Sequence, residues 1–330
     1  MDKRKRALVV MPNFYTYPAE ISNELKVRGY DVDVFDEAPR KILFLVINNI
    51  SKWTKTKILY NLFCLFLYCK IKSKHEKYDF MLVIRGNILN NSFIRRIRCN
   101  LMNDSSKLVF YSWDSFKYLE HRGSLGDEFD RKYTFDSEDV KSDNTWQLLP
   151  LFYTSKFDNQ ASHEDKNEDT DLCCVAGFNL YRYKTLKKIE KANPGLKLLI
   201  RLYINKDLFN YKLKAEKEYS TLDMSWIYFD QLSSEEVACL NLRSKAVLDV
   251  TDIYQSGLSM RTIEAIGLKK KLVTNNLHVK EYDFYASGNV FLFDTDCKIN
   301  QEWLNSSYVN DSSMREKYSL KSWVKTLLSD

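Results

Sequence analysis

Glycine and proline are scarce, 9 and 5 in 330 residues. So few turn-formers argue against a loop-rich or disordered chain. Long apolar runs are missing as well. No stretch reaches the roughly 18 apolar residues that a membrane-crossing helix needs. The start, Met1-Asp2-Lys3-Arg4-Lys5-Arg6, is basic, but the apolar run behind it, Ala7 to Met11, is too short for a signal peptide and reads as a strand. The seven cysteines are odd in number and scattered, and no Cys-x2-Cys pair has a matching second pair. That argues against a disulfide framework or a zinc site and for a reducing cytoplasm. Walker A, His-Glu-x-x-His and Gly-x-Ser-x-Gly patterns are absent.

What is present suits two domains of ordinary size, each with its own core: 45% hydrophobic and 14% aromatic residues. Charge is uneven. Residues 1–150 hold 25 Lys+Arg against 19 Asp+Glu, and residues 151–330 hold 25 of each. Within 51–100 there are 11 basic and 2 acidic residues. Such a local excess suits an anionic membrane surface or a phosphorylated substrate; no nucleic-acid motif accompanies it.

Read in order, Ala7–Met11 is a strand, 13–18 a loop, Ala19–Arg28 an amphipathic helix ended by Gly29, and Asp31–Phe35 a second strand. This is the opening of a Rossmann-like domain, without the Gly-x-Gly-x-x-Gly of a dinucleotide site. Residues 42–50 are apolar, and Thr56–Lys72 reads as an apolar helix flanked by Lys52, Lys55, Lys57, Lys70, Lys72 and Lys74. Two readings stand: an interfacial element at the inner face of a membrane, spanning 42–74, or a core helix with basic ends. Asp79–Ile84 is a strand running into Arg85, and Leu108–Tyr111 one running into Trp113 and Asp114. A carboxylate at the carboxyl end of a parallel strand is well placed to act as a base on a sugar hydroxyl. It would equally serve as the N-cap of 115–121, and His121 is a rival base. The polar stretch 154–170 reads as a linker. Beyond it, Asp171–Ala176 is a strand leading into Gly177 and Arg182, a second possible phosphate cradle ahead of a helix over Tyr183–Ala192. A helix over Lys206–Glu218, one capped by Ser234 and running through Arg243, one over His278–Tyr285 and a terminal one over Ser313–Leu328 follow.

The densest signal is Gln255-Ser256-Gly257-Leu258-Ser259-Met260-Arg261-Thr262-Ile263-Glu264-Ala265-Ile266-Gly267, between the strands 246–250 and 272–274. Gly257 suits a sharp turn, Ser259 an N-cap and Met260 the first helical position. Free amides of Met260, Arg261 and Thr262, with the helix dipole, make an anion site beside the Arg261 charge. Glu264 lies one turn on, on the Arg261 face, where a carboxylate can take both hydroxyls of a ribose. An ordinary crossover helix with a solvated Arg and Glu fits the same spacing.

These residues, with the following Leu-Val-Thr-Asn, resemble the nucleotide-sugar segment of bacterial GT-B glycosyltransferases. The likeness is to capsule and lipopolysaccharide enzymes akin to the family-4 and spore-maturation (CgeB-like) groups. It is specific over about 246–276. It implies an α/β fold of two Rossmann-like domains with a cleft between them. The acceptor domain would span 1–153, the linker 154–170 and the nucleotide-sugar domain 171–311. A C-terminal helix, 312–330, would pack back across both. In family-4 enzymes the second Glu of a Glu-x7-Glu pattern binds the donor ribose, and Glu264 matches it. Ser256 stands where the first would be, so the stereochemical outcome stays open.

The resemblance puts the diphosphate on Arg261 and the Ser259–Thr262 helix start, with Ser256 and Gly257 in the loop and Gly177 and Arg182 opposite. The loop 230–233 would hold the base. Asn13, Tyr15, Arg85 and Trp113 fall on the acceptor side, with Asp114 as general base. No Asp-x-Asp metal clamp sits where a GT-A enzyme would have one; Asp294-Thr295-Asp296 comes late in the chain. The expectation is therefore a metal-independent glycosyltransferase without cofactor, cytoplasmic or peripheral at the inner membrane face. Its partners would be a nucleotide-sugar and a glycan or lipid-linked glycan acceptor, and no nucleic acid. An epimerase on the same architecture or a non-catalytic scaffold are the alternatives.

Overall fold

The computed structural model describes residues 4–38, 58–74, 76–118, 125–158, 168–252 and 255–329. It divides into two compact units, Met1–Pro150 with Val324–Asp330, and Leu151–Trp323. Each is built on a six-stranded sheet in which every strand pair is parallel.

In the first unit the strands are β1 (Lys5–Met11), β2 (Tyr30–Asp36), β3 (Tyr78–Ile84), β4 (Met102–Ser112), β5 (Arg131–Thr134) and β6 (Gln147–Leu148), ordered β2-β1-β3-β4-β5-β6. Ala7 to Met11 and Phe80 to Ile84 are almost wholly buried. Strands buried on both faces read as unbroken apolar runs, which is why these two were legible. Helices α1 (Tyr17–Val27), α2 (Ile58–Lys72) and α3 (Asn91–Leu101) cover the sheet. Asn90 caps α3, accepting from the Phe93 amide at 2.8 Å. Helix α2 is a core helix on one side only. Cys64, Leu67, Tyr68 and Ile71 lie in the core, while Ile58, Leu62, Leu65 and Phe66 are exposed. Residues 42–57 lie outside the described part. A short helix α4 (Ser137–Ser142), capped by Asp136, was not foreseen.

The second unit holds β7 (Thr170–Gly177), β8 (Leu198–Tyr203), β9 (Ile227–Tyr228), β10 (Ser244–Asp249), β11 (Lys271–Thr274) and β12 (Val290–Leu292), ordered β12-β11-β10-β7-β8-β9. The chain starts in the middle of the sheet, winds to one edge, then returns to fill the other side. Its helices are α5 (Leu180–Ala192), α6 (Lys206–Ala215), α7 (Ser234–Leu242), α8 (Met260–Gly267), α9 (Gln301–Asn305), α10 (Ser312–Lys317) and α11 (Leu320–Leu328), the last ending beyond the unit's boundary.

Several expectations need correcting here. The stretch read as linker begins inside the second unit. Ser155–Phe157 is a 3-10 turn with Phe157 buried, and residues 159–167 lie outside the described part. At Gly267 an added Cβ would stand 2.5 Å from the Phe157 carbonyl and 2.6 Å from the Tyr153 ring, so α8 packs against this turn at glycine distance. The terminal helix is broken in two. The Leu320 amide donates to the Tyr153 carbonyl at 2.9 Å and the Tyr153 amide to the Tyr318 carbonyl at 3.0 Å, taking backbone groups that a continuous helix would use. Residues 278–285 form two 3-10 turns, Leu277–Glu281 and Asp283–Ser287, rather than a helix. The cap of α7 is Ser233, not Ser234, in a capping box with Glu236. Helix α6 ends at Ala215, and 217–221 is a 3-10 turn. Among the described residues no helix is long and apolar enough to cross a membrane.

Candidate functional site

A doubly wound parallel sheet opens a crevice where its strand order reverses, outside the carboxyl ends of the two strands concerned. In the second unit that place lies between β7 and β10. The loops that reach it are 177–179 and 250–259, the stretches singled out from the sequence.

The floor of this crevice is Asp249, the last residue of β10, with 0% of its surface exposed. It accepts from Ser259 Oγ at 2.6 Å, Thr262 Oγ1 at 2.8 Å and Arg261 Nε at 3.0 Å. Burial pushes the Asp249 carboxyl up, but the Arg261 charge and the two hydroxyls outweigh it and hold the group below its usual range. Ser259 still caps α8, accepting from the Thr262 amide at 3.4 Å. Arg261, expected as a free positive charge, spends that charge on Asp249. Ser256 and Glu264 are buried, and Met260 is half-buried.

Arg182 differs. Its Nε donates to the Val250 carbonyl at 2.8 Å and its NH1 to the Gly177 carbonyl at 2.6 Å. Among the described residues no carboxylate is in salt-bridge contact with it. Burial, then the like charge of Arg261, push its guanidinium down to about 10, against weaker opposition from Asp249 and Asp252. Two arginines thus sit over one paired carboxylate, and one positive charge is left with only carbonyl partners. Asn179 caps α5 beside it, accepting from the Tyr181 and Arg182 amides at 2.8 and 3.3 Å. A Cβ on Gly177 would meet nothing within 4 Å, so the space in front of that backbone is open. From Gly177 an open depression of about 580 Å³ extends toward β8, lined by Phe178, Asn179, Tyr203, Asn205 and Tyr219 among others.

Sequence reasoning missed what holds the loops. Asn275 accepts from the Thr251 amide at 2.9 Å and donates to the Thr251 carbonyl at 3.1 Å and the Tyr181 hydroxyl at 3.3 Å. Asn276 donates to the Ser256 and Gly257 carbonyls at 3.2 and 3.4 Å. The available signal was an Asn-Asn pair closing a buried strand. The loop 230–233 is largely exposed and carries the Ser233 cap.

In the first unit the strand order reverses between β1 and β3. Tyr15 and Arg85, on the loops after these strands, have left-handed φ of 48° and 73°, and Gly86 follows with 66°. Gly86 is required there, because a Cβ would stand 2.8 Å from the Phe110 ring. Such conformations persist only where the surroundings impose them. Arg85 Nε donates to Asp114 at 2.8 Å. Asp114 is therefore not the cap of the 3-10 turn Phe116–Tyr118, whose first amide goes to Asp139 at 3.0 Å. His121 lies outside the described residues. Phe14, Tyr15, Tyr17 and Trp113 form a ring cluster, Trp113 lying 5.3 Å from Tyr17 and 6.5 Å from Phe14. Asn13 is exposed on the same loop as Phe14 and Tyr15.

The residue that sequence reasoning overlooked here is Glu37, just past β2. It is 2% exposed. Burial pushes its carboxyl up to about 8, against opposition from Arg85 and the Gly86 and Asn87 amides. Arg85 NH1 stands 3.9 Å from Oε1, and Oε2 has no hydrogen-bond partner among the described residues.

No family model matches this chain, and no curated protein does. Solved structures do. AviGT4, a glycosyltransferase involved in avilamycin A biosynthesis, is 12% identical with a TM-score of 0.57, over 98% of this chain and 96% of its own. The UDP-GlcNAc 2-epimerase from Methanocaldococcus jannaschii is 15% identical with a TM-score of 0.55, over 98% and 99%. WaaG, a glycosyltransferase involved in lipopolysaccharide biosynthesis, is 11% identical with a TM-score of 0.51, over 98% and 96%. The fold is therefore the α/β pair of Rossmann-like units that GT-B enzymes have. At such identities the likeness is one of fold, shared by transferases and an epimerase alike.

Proposed function

We propose that the chain is a GT-B glycosyltransferase that moves a sugar from a nucleotide-sugar to a hydroxyl of a surface-glycan acceptor. The observation that carries this reading is Arg182, a half-buried guanidinium with only carbonyl partners among the described residues, at the β7/β10 reversal. A cation drawn partly out of water without a counter-charge is destabilised. A diphosphate supplies the missing charge, and the α5 and α8 starts supply amides to it. On departure of the sugar these groups neutralise the leaving diphosphate, so no metal is required by this reading. Arg261 acts by fixing the α8 start through Asp249, and Glu264 takes the ribose. The base lies along the depression from Gly177 or at 230–233. Asp114 takes the proton of the acceptor hydroxyl, beside the Trp113 and Tyr15 rings, with Asn13 and Arg85 as further acceptor contacts. The surface-glycan setting rests on the fold likeness to WaaG and on the resemblance of 246–276. The exposed Ile58, Leu62, Leu65 and Phe66 of α2, with Lys70 and Lys72 in its last turn, support a lipid interface. Co-sedimentation with anionic vesicles tests that part, and a chain that stays in the supernatant would remove it.

The main test is a thermal-shift panel of UDP, GDP, CMP, dTDP and ADP in EDTA. A nucleotide at 100 times its dissociation constant should stabilise the chain by about 2.7 kcal/mol. Stabilisation by one class supports the reading, and a flat panel contradicts it. The fold likeness to a 2-epimerase favours a second reading. NMR of the matching nucleotide-sugar without acceptor separates the two: an epimerase yields an isomeric sugar, whereas a transferase leaves it intact or slowly hydrolysed.

A further inference from the structure

The first unit places one arginine between two carboxyls of unlike environment. Asp114 is 40% exposed and already holds Arg85 Nε at 2.8 Å. Glu37 is buried, faces the other edge of the guanidinium at 3.9 Å, and has an oxygen with no partner among the described residues. Among the described residues the groups around Glu37 are few. From the loop after β3 come the Arg85 charge and the Gly86 and Asn87 amides, and from its own segment the neighbouring Asp36. From β1 comes the Met11 carbonyl, which accepts from the Glu37 amide at 3.1 Å. Asn87, with its amide turned so that the oxygen faces the guanidinium, accepts from Arg85 Nε at 3.0 Å.

We propose that Glu37 is a positioning residue that decides whether Arg85 occupies Asp114 or releases it. With Glu37 neutral, Arg85 stays on Asp114 and engages one of its carboxylate oxygens, which lowers the basicity of the group. When Glu37 loses its proton to solvent, a bare carboxylate is left in a low-dielectric pocket. It attracts a cation far more strongly than a half-exposed carboxylate does. Arg85 closes the remaining gap of about an ångström to charge-assisted hydrogen-bond distance. Oε1 gains a charged donor, and Nε draws back from Asp114. The consequence for turnover rests on the reading of Asp114 as the base; the movement of Arg85 does not.

The test uses the full chain labelled with ¹⁵N-arginine, with the Arg85 Nε resonance assigned through Arg85→Lys. In the unaltered chain that resonance should move between pH 6 and 10 with a midpoint near 8. In Glu37→Gln it should stay still over the same range. In Asp114→Asn the guanidinium has no rival carboxylate, so the midpoint should fall below that of the unaltered chain. Once a donor is known, kcat should rise with pH through the same midpoint and be flat in Glu37→Gln, with the donor KM alike in both. An immobile resonance in the unaltered chain, or the same titration in Glu37→Gln, overturns the proposal. Should Glu37→Gln fail to fold, an unlowered midpoint in Asp114→Asn does so. Nucleotide stabilisation, read at the second unit, is independent of each of these outcomes.

Discussion

The two strand-order reversals solve the same packing problem in opposite ways. In the second unit the charges close on themselves. Asp249 is fully buried and takes a guanidinium and two hydroxyls, and what remains is a single cation, Arg182, beside an open backbone. In the first unit the charges stay unsettled, with, among the described residues, one arginine for two carboxyls and one carboxyl oxygen without a partner. A closed network holds a shape, as is needed to receive an anion of fixed geometry. An open one responds to protons.

Removing the keystone of the closed network should have the largest effect. Asp249→Ala leaves the half-buried Arg261 without its carboxylate and two hydroxyls without their acceptor, and breaking a pair this way costs up to about 3–5 kcal/mol. Chemical denaturation should show a loss of that order; a loss under about 1 kcal/mol would mean that Asp249 is not holding the α8 start.

The open network gives a smaller, pH-dependent effect. The Glu37 carboxyl is raised from 4.5 to about 8, so between those values the folded chain keeps a proton that the unfolded chain has released. Stability must then fall as pH rises through that window and level off above it, by at most about 1.4 kcal/mol per pH unit for one proton. Glu37→Gln should flatten this part of the profile and gain on the parent chain toward pH 8. Parallel profiles for the two chains would show that Glu37 ionises normally.

The contrast also explains what was legible in the sequence. Buried parallel strands such as Ala7–Met11 and Ala246–Asp249 read directly, because an apolar run bounded by polar residues has few other meanings. The stretch 255–267 was legible because a cap, an arginine and a glutamate at helical spacing are local features. What escaped depends on partners far away in the chain. Glu37 follows Asp36 at the end of an alternating strand and looks like surface; the Arg85 loop, 48 residues on, gives it meaning. Arg261 looked like a free cation, since nothing local says that the strand before it ends in a fully buried aspartate. The terminal helix has an unbroken helical pattern, and only pairing with Tyr153 reveals the break at Ser319.

The central claim is that the second unit receives a diphosphate through Arg182. The direct measurement is calorimetric titration of the nucleotide chosen by the thermal-shift panel into the parent chain and into Arg182→Met. The account predicts that Arg182→Met binds about 10²-fold more weakly, the scale of a lost charge-assisted contact. Its unliganded stability should be equal to the parent's or higher, because a half-buried charge without a counter-charge has gone. Equal affinities would contradict the claim and move the anion site away from the β7/β10 reversal.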